Sequence, residues 1–249
     1  MPSPLIYLIL GAAGSGRREI LADLIDGGLD EGDRAAVLLA ESEAADPADA
    51  KLASVSRWRL TPDQIIEAPL PPEATHVFFV VDGRRSPTDQ IEAFKLWLDA
   101  QGHGLARILC VINCQLAEKY PPLLAWYEAC VHFADIVLLN RREGVANKWL
   151  TGFLAHFHDK FYPCLFELVK GGRVKNPRLV LEPQARRVSH VFDDEQDWIF
   201  TNAEGEEIDE QEETDDEDGV EVTPEEDPYL ALDASGRRSK RIPDIAKFL

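Results

Sequence analysis

The chain of 249 residues carries 45 acidic and 26 basic side chains, a formal net charge of −19, with 45% hydrophobic residues. Between Asp193 and Asp227 stand 19 of the acids and no lysine or arginine, so the remaining 26 acids meet 26 bases and the body is electrically balanced. This balance describes an ordinary globular body with a separate acidic segment, and no nucleic-acid partner is expected.

The first apolar run, Leu5–Leu10, has six residues and no basic residue ahead of it. It is too short for a secretion signal or a membrane span, so a cytoplasmic protein with no membrane partner is expected. Four cysteines, Cys110, Cys114, Cys130 and Cys164, lack zinc-finger spacing and lie mostly in apolar runs, which predicts buried thiols in a reducing compartment.

Apolar runs at Leu5–Leu10, Ala35–Ala40, Val77–Val81, Ile108–Ile112 and Ile136–Leu139 predict strands. Helical patterns at Arg18–Ile25, Asp89–Ala100, Leu123–Phe133 and Val145–Phe157 alternate with them. This alternation predicts an α/β fold with a mainly parallel sheet over residues 1–200. Glu41–Ala74 reads as a long connection with one short strand and one helical turn. Cys164–Val169 and Arg178–Leu181 read as edge strands or a hairpin around Gly171-Gly172, and Val188–Phe200 as one more packed element. Residues 201–235 read as an acidic disordered linker, since they hold too little apolar surface to order themselves. Residues 236–249 form a basic and then apolar motif that could meet a protein partner. The acidic segment itself could instead cover the phosphate site or Arg237–Arg241.

The spacing Gly11-x-x-x-x-Gly16 after the first strand fits a P-loop, in which backbone N–H groups cradle phosphate at a helix N-terminus. Gly11, Ala12, Ala13, Gly14, Ser15 and Gly16 are its candidate cradle. Arg17 stands where the lysine of that motif belongs, and Arg18 where its magnesium-binding hydroxyl belongs. Arginine can hold phosphate bidentately but does not replace lysine conservatively, and Arg18 would repel a cation.

The order of landmarks resembles the CobW/HypB/UreG group of P-loop GTPases, CobW especially, over roughly Leu5 to Phe157. Val37-Leu38-Leu39-Ala40-Glu41 stands for the family's second strand ending near Asn-Glu. Val80-Val81-Asp82-Gly83, with Pro87 four residues on, stands for its Glu-x-Ser-Gly strand end. Ala134-Asp135-Ile136-Val137-Leu138-Leu139-Asn140-Arg141-Arg142-Glu143 stands for its Ala-Asp-x-(apolar)₃-Asn-Lys-x-Asp phrase. The resemblance implies a three-layer P-loop NTPase-like fold over residues 1–200 and a guanine nucleotide, GTP or GDP, with Glu41, Asp82, Asn140, Arg141 and Glu143 joining the site. Asn140 would bond the purine and brace the P-loop, Arg141 would stack on the base, and Glu143 would accept from the guanine edge. Asn140-Arg141-Arg142-Glu143 also reads as a plain polar strand exit. The family's cysteine motif is missing, since no cysteine precedes Cys110. With the P-loop lysine and hydroxyl replaced, weak or absent hydrolysis and no dependence on magnesium are expected.

Arg17-Arg18, Arg84-Arg85 and Arg141-Arg142 each follow a predicted strand, and strand carboxyl ends of a parallel sheet share one crevice. The three pairs are therefore expected to converge as an anion site, unless they are merely solvated strand exits. Two other classes stay open: a dinucleotide-binding Rossmann-type protein, with Gly11, Gly14 and Gly16 as its turn and Glu41 as its ribose acid, and a non-enzymatic interaction module on a P-loop scaffold. His132, His156, His158 and Cys130 read as structural rather than metal-binding, and Trp97, Trp126 and Trp149 as packing residues.

Overall fold

The computed structural model describes residues 3–52, 54–193, 200–201, 207–208 and 226–249. In chain order it contains β1 (Leu5–Leu10), α1 (Arg17–Gly28), β2 (Ala35–Ala40), β3 (Val55–Leu60), β4 (Ile66–Glu67), β5 (His76–Val80), α2 (Pro87–Gln101) and β6 (Leu105–Asn113). There follow α3 (Cys114–Lys119), α4 (Leu124–Phe133), β7 (Ile136–Asn140), α5 (Asn147–His158), β8 (Leu165–Leu168), α6 (Pro177–Leu181), and a small pair β9 (Phe200–Thr201) and β10 (Glu207–Ile208). The five expected strands and four expected helices all form.

The main sheet has the order β4-β3-β2-β5-β1-β6-β7-β8 and is parallel except for the β3–β4 edge pair. Both faces are covered, which is why the strands read as continuous apolar runs. Ile6, Leu8 and Leu10 of β1 enter the core shared with α2, α4 and α5, while Tyr7 and Ile9 enter the core shared with α1 and α6. That alternation is the two-residue period of a strand. This is a three-layer α/β fold of P-loop NTPase type.

Strand order overturns the dinucleotide-binding alternative. In that fold the first two strands are neighbours, whereas here β5 lies between β1 and β2. From β1 the chain skips one position to β2, runs outward to β3 and β4, returns to fill the gap with β5, and then passes to β6 on the other side of β1, so the crevice opens where β1 is flanked by β5 and β6.

Other local expectations need correction. Arg178–Leu181 belongs to the short helix α6, not to a strand: Pro177 stands at its first turn, where a missing N–H costs nothing, and the Asn176 side chain accepts from the Leu179 N–H at 3.4 Å. The Glu41–Ala74 interval holds a 3₁₀ turn at Pro47–Lys51 and two strands, not one. Helix α3 directly after β6 was not foreseen; Asn113 caps it by accepting from the Leu116 N–H at 3.1 Å. Cys164–Val169, by contrast, does hold an expected edge strand, β8, which pairs in parallel with β7, and Gly171 and Gly172, at φ 57° and 74°, make a tight turn bridged by Lys170 and Arg173. Of Val188–Phe200, residues 194–199 lie outside the described residues, as does most of the acidic linker.

Residues 226–249 pack against the face formed by α2 and α4. Tyr229 and Ile245 are buried, and Asp227 meets His132 at 2.8 Å. Arg238 reaches Asp89 at 3.2 Å and also Glu92 on α2, and the Phe248 ring meets that of Tyr120. The motif expected to face a partner thus rests part of its apolar surface on its own body. No helix among the described residues is long and apolar enough to cross a membrane.

Candidate functional site

Four loops at the carboxyl ends of β1, β2, β5 and β7 surround one chamber of about 180 Å³. Its first wall is the turn Gly11–Gly16. Gly16 takes φ 88°, and a Cβ there would collide with the Asn140 side chain, so this position must be glycine on two counts. Asn140 Nδ2 donates to the Ser15 carbonyl at 2.8 Å, which fastens the β7 exit to the turn. The turn then feeds α1, whose first residues, Arg17 to Glu19, line the chamber.

Arg17 and Arg18 open α1, and both are buried, at 5% and 8% exposure. Arg17 donates to the Val81 carbonyl and pairs with one oxygen of Glu43. Arg18 donates to the other oxygen of the same carboxylate at 2.8 Å, to the Ala44 carbonyl at 2.9 Å, and pairs with Asp49 at 3.0 Å. The Gly83 N–H completes the cradle by donating to Glu43 at 3.1 Å. Two guanidinium groups and one amide therefore hold a single carboxylate. Burial alone would raise its pKa. The Arg17 charge, the Gly83 N–H and the two guanidinium hydrogen bonds outweigh burial and hold Glu43 below the usual glutamate range.

Gly83 also accepts, through its carbonyl, from the Ala13 N–H of the turn at 2.9 Å. A Cβ at Gly83 would collide with Ala13 and Arg17, so the close approach of these two loops depends on glycine. The Asp82 carboxylate accepts from Ser42 at 2.7 Å and from the Arg84 N–H at 2.9 Å, and pairs with Arg85 at 3.2 Å. Both oxygens of Asp82 are thus engaged within the chain. Among the described residues no cluster of metal-ligating side chains forms.

Of the three arginine pairs, Arg17, Arg18, Arg84 and Arg141 line the chamber. Arg85 turns to Asp82, and Arg142 donates to the Val169 carbonyl at 3.0 Å. Arg141, at φ 51°, reaches across to Glu19 of α1 at 2.8 Å. This pair stands between the chamber and a neighbouring recess of about 640 Å³, which it also lines together with Lys51 and Gly171–Arg173. Glu41 does not line the chamber: it faces other recesses with Arg59, Trp97 and Arg85. The Glu143 side chain is exposed, and its backbone carbonyl accepts from Gln115 at 2.6 Å. The acid that does matter, Glu43, was missed. Its only sequence signal is a second acid in the loop after β2, and no spacing rule tells which of Glu41 and Glu43 points inward.

The remaining candidates are structural neighbours of the core. All four cysteines are free and buried, and burial pushes the Cys114 thiol up to about 12. His156 pairs with Glu128 at 2.6 Å. Trp97 and Trp126 are buried, and Trp149 stacks on Phe153. A separate apolar recess of about 520 Å³, lined by Pro121, Leu124, Trp149 and Phe153, contains no P-loop residue.

No family model and no curated protein sequence matches the chain. Solved structures of low identity do. The Zn(II)-bound YjiA GTPase from E. coli is 14% identical, with a TM-score of 0.42, over 75% of this chain and 67% of its own. HypB from Helicobacter pylori in complex with nickel is 13% identical, with a TM-score of 0.40, over 67% and 78%. The signal recognition particle receptor FtsY from Elizabethkingia anophelis in complex with GDP is 14% identical, with a TM-score of 0.48, over 78% and 65%.

Proposed function

We propose that the chain is a P-loop protein that binds a phosphoryl group through arginine, without magnesium and without appreciable hydrolysis. One observation carries this reading: Arg17 and Arg18, both buried, already converge on the two oxygens of an oxyanion, the Glu43 carboxylate. Planar guanidinium groups match the oxygens of phosphate as they match those of carboxylate. Cleavage of a phosphoanhydride calls for a cation bridging the leaving and transferred groups, and Arg18 occupies the place of its ligand.

The chamber is smaller than the roughly 300–1,000 Å³ usual for small-molecule sites. A phosphate or pyrophosphate fits such a space. A guanine nucleotide, GTP or GDP, would place its phosphates there and its nucleoside across the Glu19–Arg141 pair in the adjoining recess, near Asn140. Calorimetric titration of GDP and pyrophosphate in EDTA and in magnesium tests the reading. Equal affinity in both buffers is expected, with no phosphate release from GTP. Strict dependence on magnesium, or turnover like that of an active GTPase, would sink it.

A second reading, a non-enzymatic scaffold, is favoured by the engagement of Ala13 with Gly83 and of Arg17 with Val81, which satisfies part of the cradle within the chain. It predicts no phosphate ligand at all.

A further inference from the structure

The chamber holds an oxyanion that the chain itself supplies, and we infer that Glu43 is an exchangeable resident anion that sets the charge its ligand must bring. An incoming phosphoryl group of at least two negative charges, such as pyrophosphate or a terminal phosphate, displaces the Glu43 carboxylate to solvent. A singly charged oxyanion does not. This rests on the phosphoryl-binding reading above.

Four observations lead here. Glu43 is held by the donors that a phosphoryl group needs: guanidinium groups from two successive residues and the Gly83 N–H. Its flanking residues, Glu41, Ser42 and Ala44 to Asp46, are all exposed, while Glu43 alone is turned inward. Its backbone is fixed by its N–H on the Ala40 carbonyl at 3.1 Å and by Arg57 on its own carbonyl at 3.2 Å. A rotation of the side chain therefore frees the chamber without unseating the loop. Finally, among the described residues, removal of Glu43 leaves Arg17, Arg18, Arg84 and Arg141 facing only Glu19 and Asp46, with Asp49 behind Arg18.

The threshold follows from competition. A tethered carboxylate has a high effective concentration at its own site. An external carboxylate offers the same charge and also loses translational freedom on binding, so it cannot win. A phosphoryl dianion brings more charge and a third oxygen to the same donors.

The test uses the full chain in low-chloride buffer without magnesium, titrated with pyrophosphate and with acetate. Wild type should bind pyrophosphate and show no response to acetate. Glu43→Gln, which keeps the size and removes the charge, should melt lower without anion, bind pyrophosphate at least about tenfold tighter, and regain its melting temperature when it is added. Glu43→Ala should also respond to acetate, which refills the vacated position. Glu43→Asp, whose shorter stem retreats from Arg17, should fall between wild type and Glu43→Gln, and it serves where the neutral variants do not fold. Equal pyrophosphate affinity across the series would overturn the exchange and leave the anion site standing. No pyrophosphate binding by any of these chains would instead remove the phosphoryl-binding reading itself.

Discussion

Two carboxylates, one at each end of the sheet, are surrounded by arginine and behave in opposite ways. Glu43 stands at the carboxyl ends of the strands, beside a chamber, and its partners are mainly the side chains Arg17 and Arg18. Asp135 stands at the amino end of β7, with no exposed surface. It accepts from the Ile108 N–H at 2.7 Å and the Arg186 N–H at 2.6 Å, with Arg187 at 3.3 Å. Nearby Arg107, also fully buried, donates through Nε to the Gln184 carbonyl and through Nη1 to those of Leu179 and Val180. Charge tied to backbone pins a chain segment in place, whereas charge paired between side chains at a cavity can change partners.

The pKa shifts separate the two further. Burial raises the Asp135 carboxyl, and its backbone N–H donors with the Arg187 and Arg107 charges only partly offset that. Stability linked to Asp135 is present below the usual aspartate range and is lost as pH rises through its raised value. Glu43 is lowered, so its contribution is present above the usual glutamate range and is lost as pH falls through its depressed value. Melting temperature against pH should therefore slope in opposite directions at the two sites, with Glu43→Gln removing the acid-side loss and Asp135→Asn the loss on the other side.

The largest effect should come from Asp135→Ala. Two buried N–H groups would lose their acceptor, at a cost of about 2–5 kcal/mol in urea denaturation. Pyrophosphate should not restore this loss, in contrast to Glu43 variants; restoration would erase the distinction between the two ends. Next comes Gly83→Ala, where the added methyl must push the β5 loop off the P-loop, at about 1–3 kcal/mol by the same measurement. Unchanged stability there would mean that the two loops already stand apart in solution. Smallest is Arg141→Ala. Its pair with Glu19 is about 40% exposed, and its loss should cost under about 1 kcal/mol. The informative readout is binding, since the chamber and the adjoining recess would merge and GDP should gain affinity relative to pyrophosphate. A fixed GDP-to-pyrophosphate ratio would show that the pair is no wall.

The strands were legible because burial on both faces leaves uninterrupted apolar runs: Leu5–Leu10 and Ala35–Ala40 match their elements residue for residue. The turn Gly11–Gly16 was legible because few residues tolerate its left-handed backbone. Helix α6 was not. Arg178–Leu181 looks like a strand by composition, and only Asn176 and Pro177 ahead of it mark a helix start. At the site, Arg17 and Arg18 could be placed from motif spacing, and Arg84 and Arg141 from following strands. Their fellows Arg85 and Arg142 turn elsewhere, to Asp82 and to the Val169 carbonyl, because both exits leave the strand as turns, with Arg141 at φ 51°.

By itself the sequence determined the layered α/β architecture, the glycine turn and the two arginines that follow it, since each depends on residue type and near spacing. Only the tertiary structure decided that β5 lies between β1 and β2, that four arginines share a chamber, and that Glu43 rather than Glu41 neutralises two of them. Those outcomes join loops that are distant in the chain, and charge pairing across such distances depends on which way each side chain leaves its loop. Local sequence carries no record of that direction.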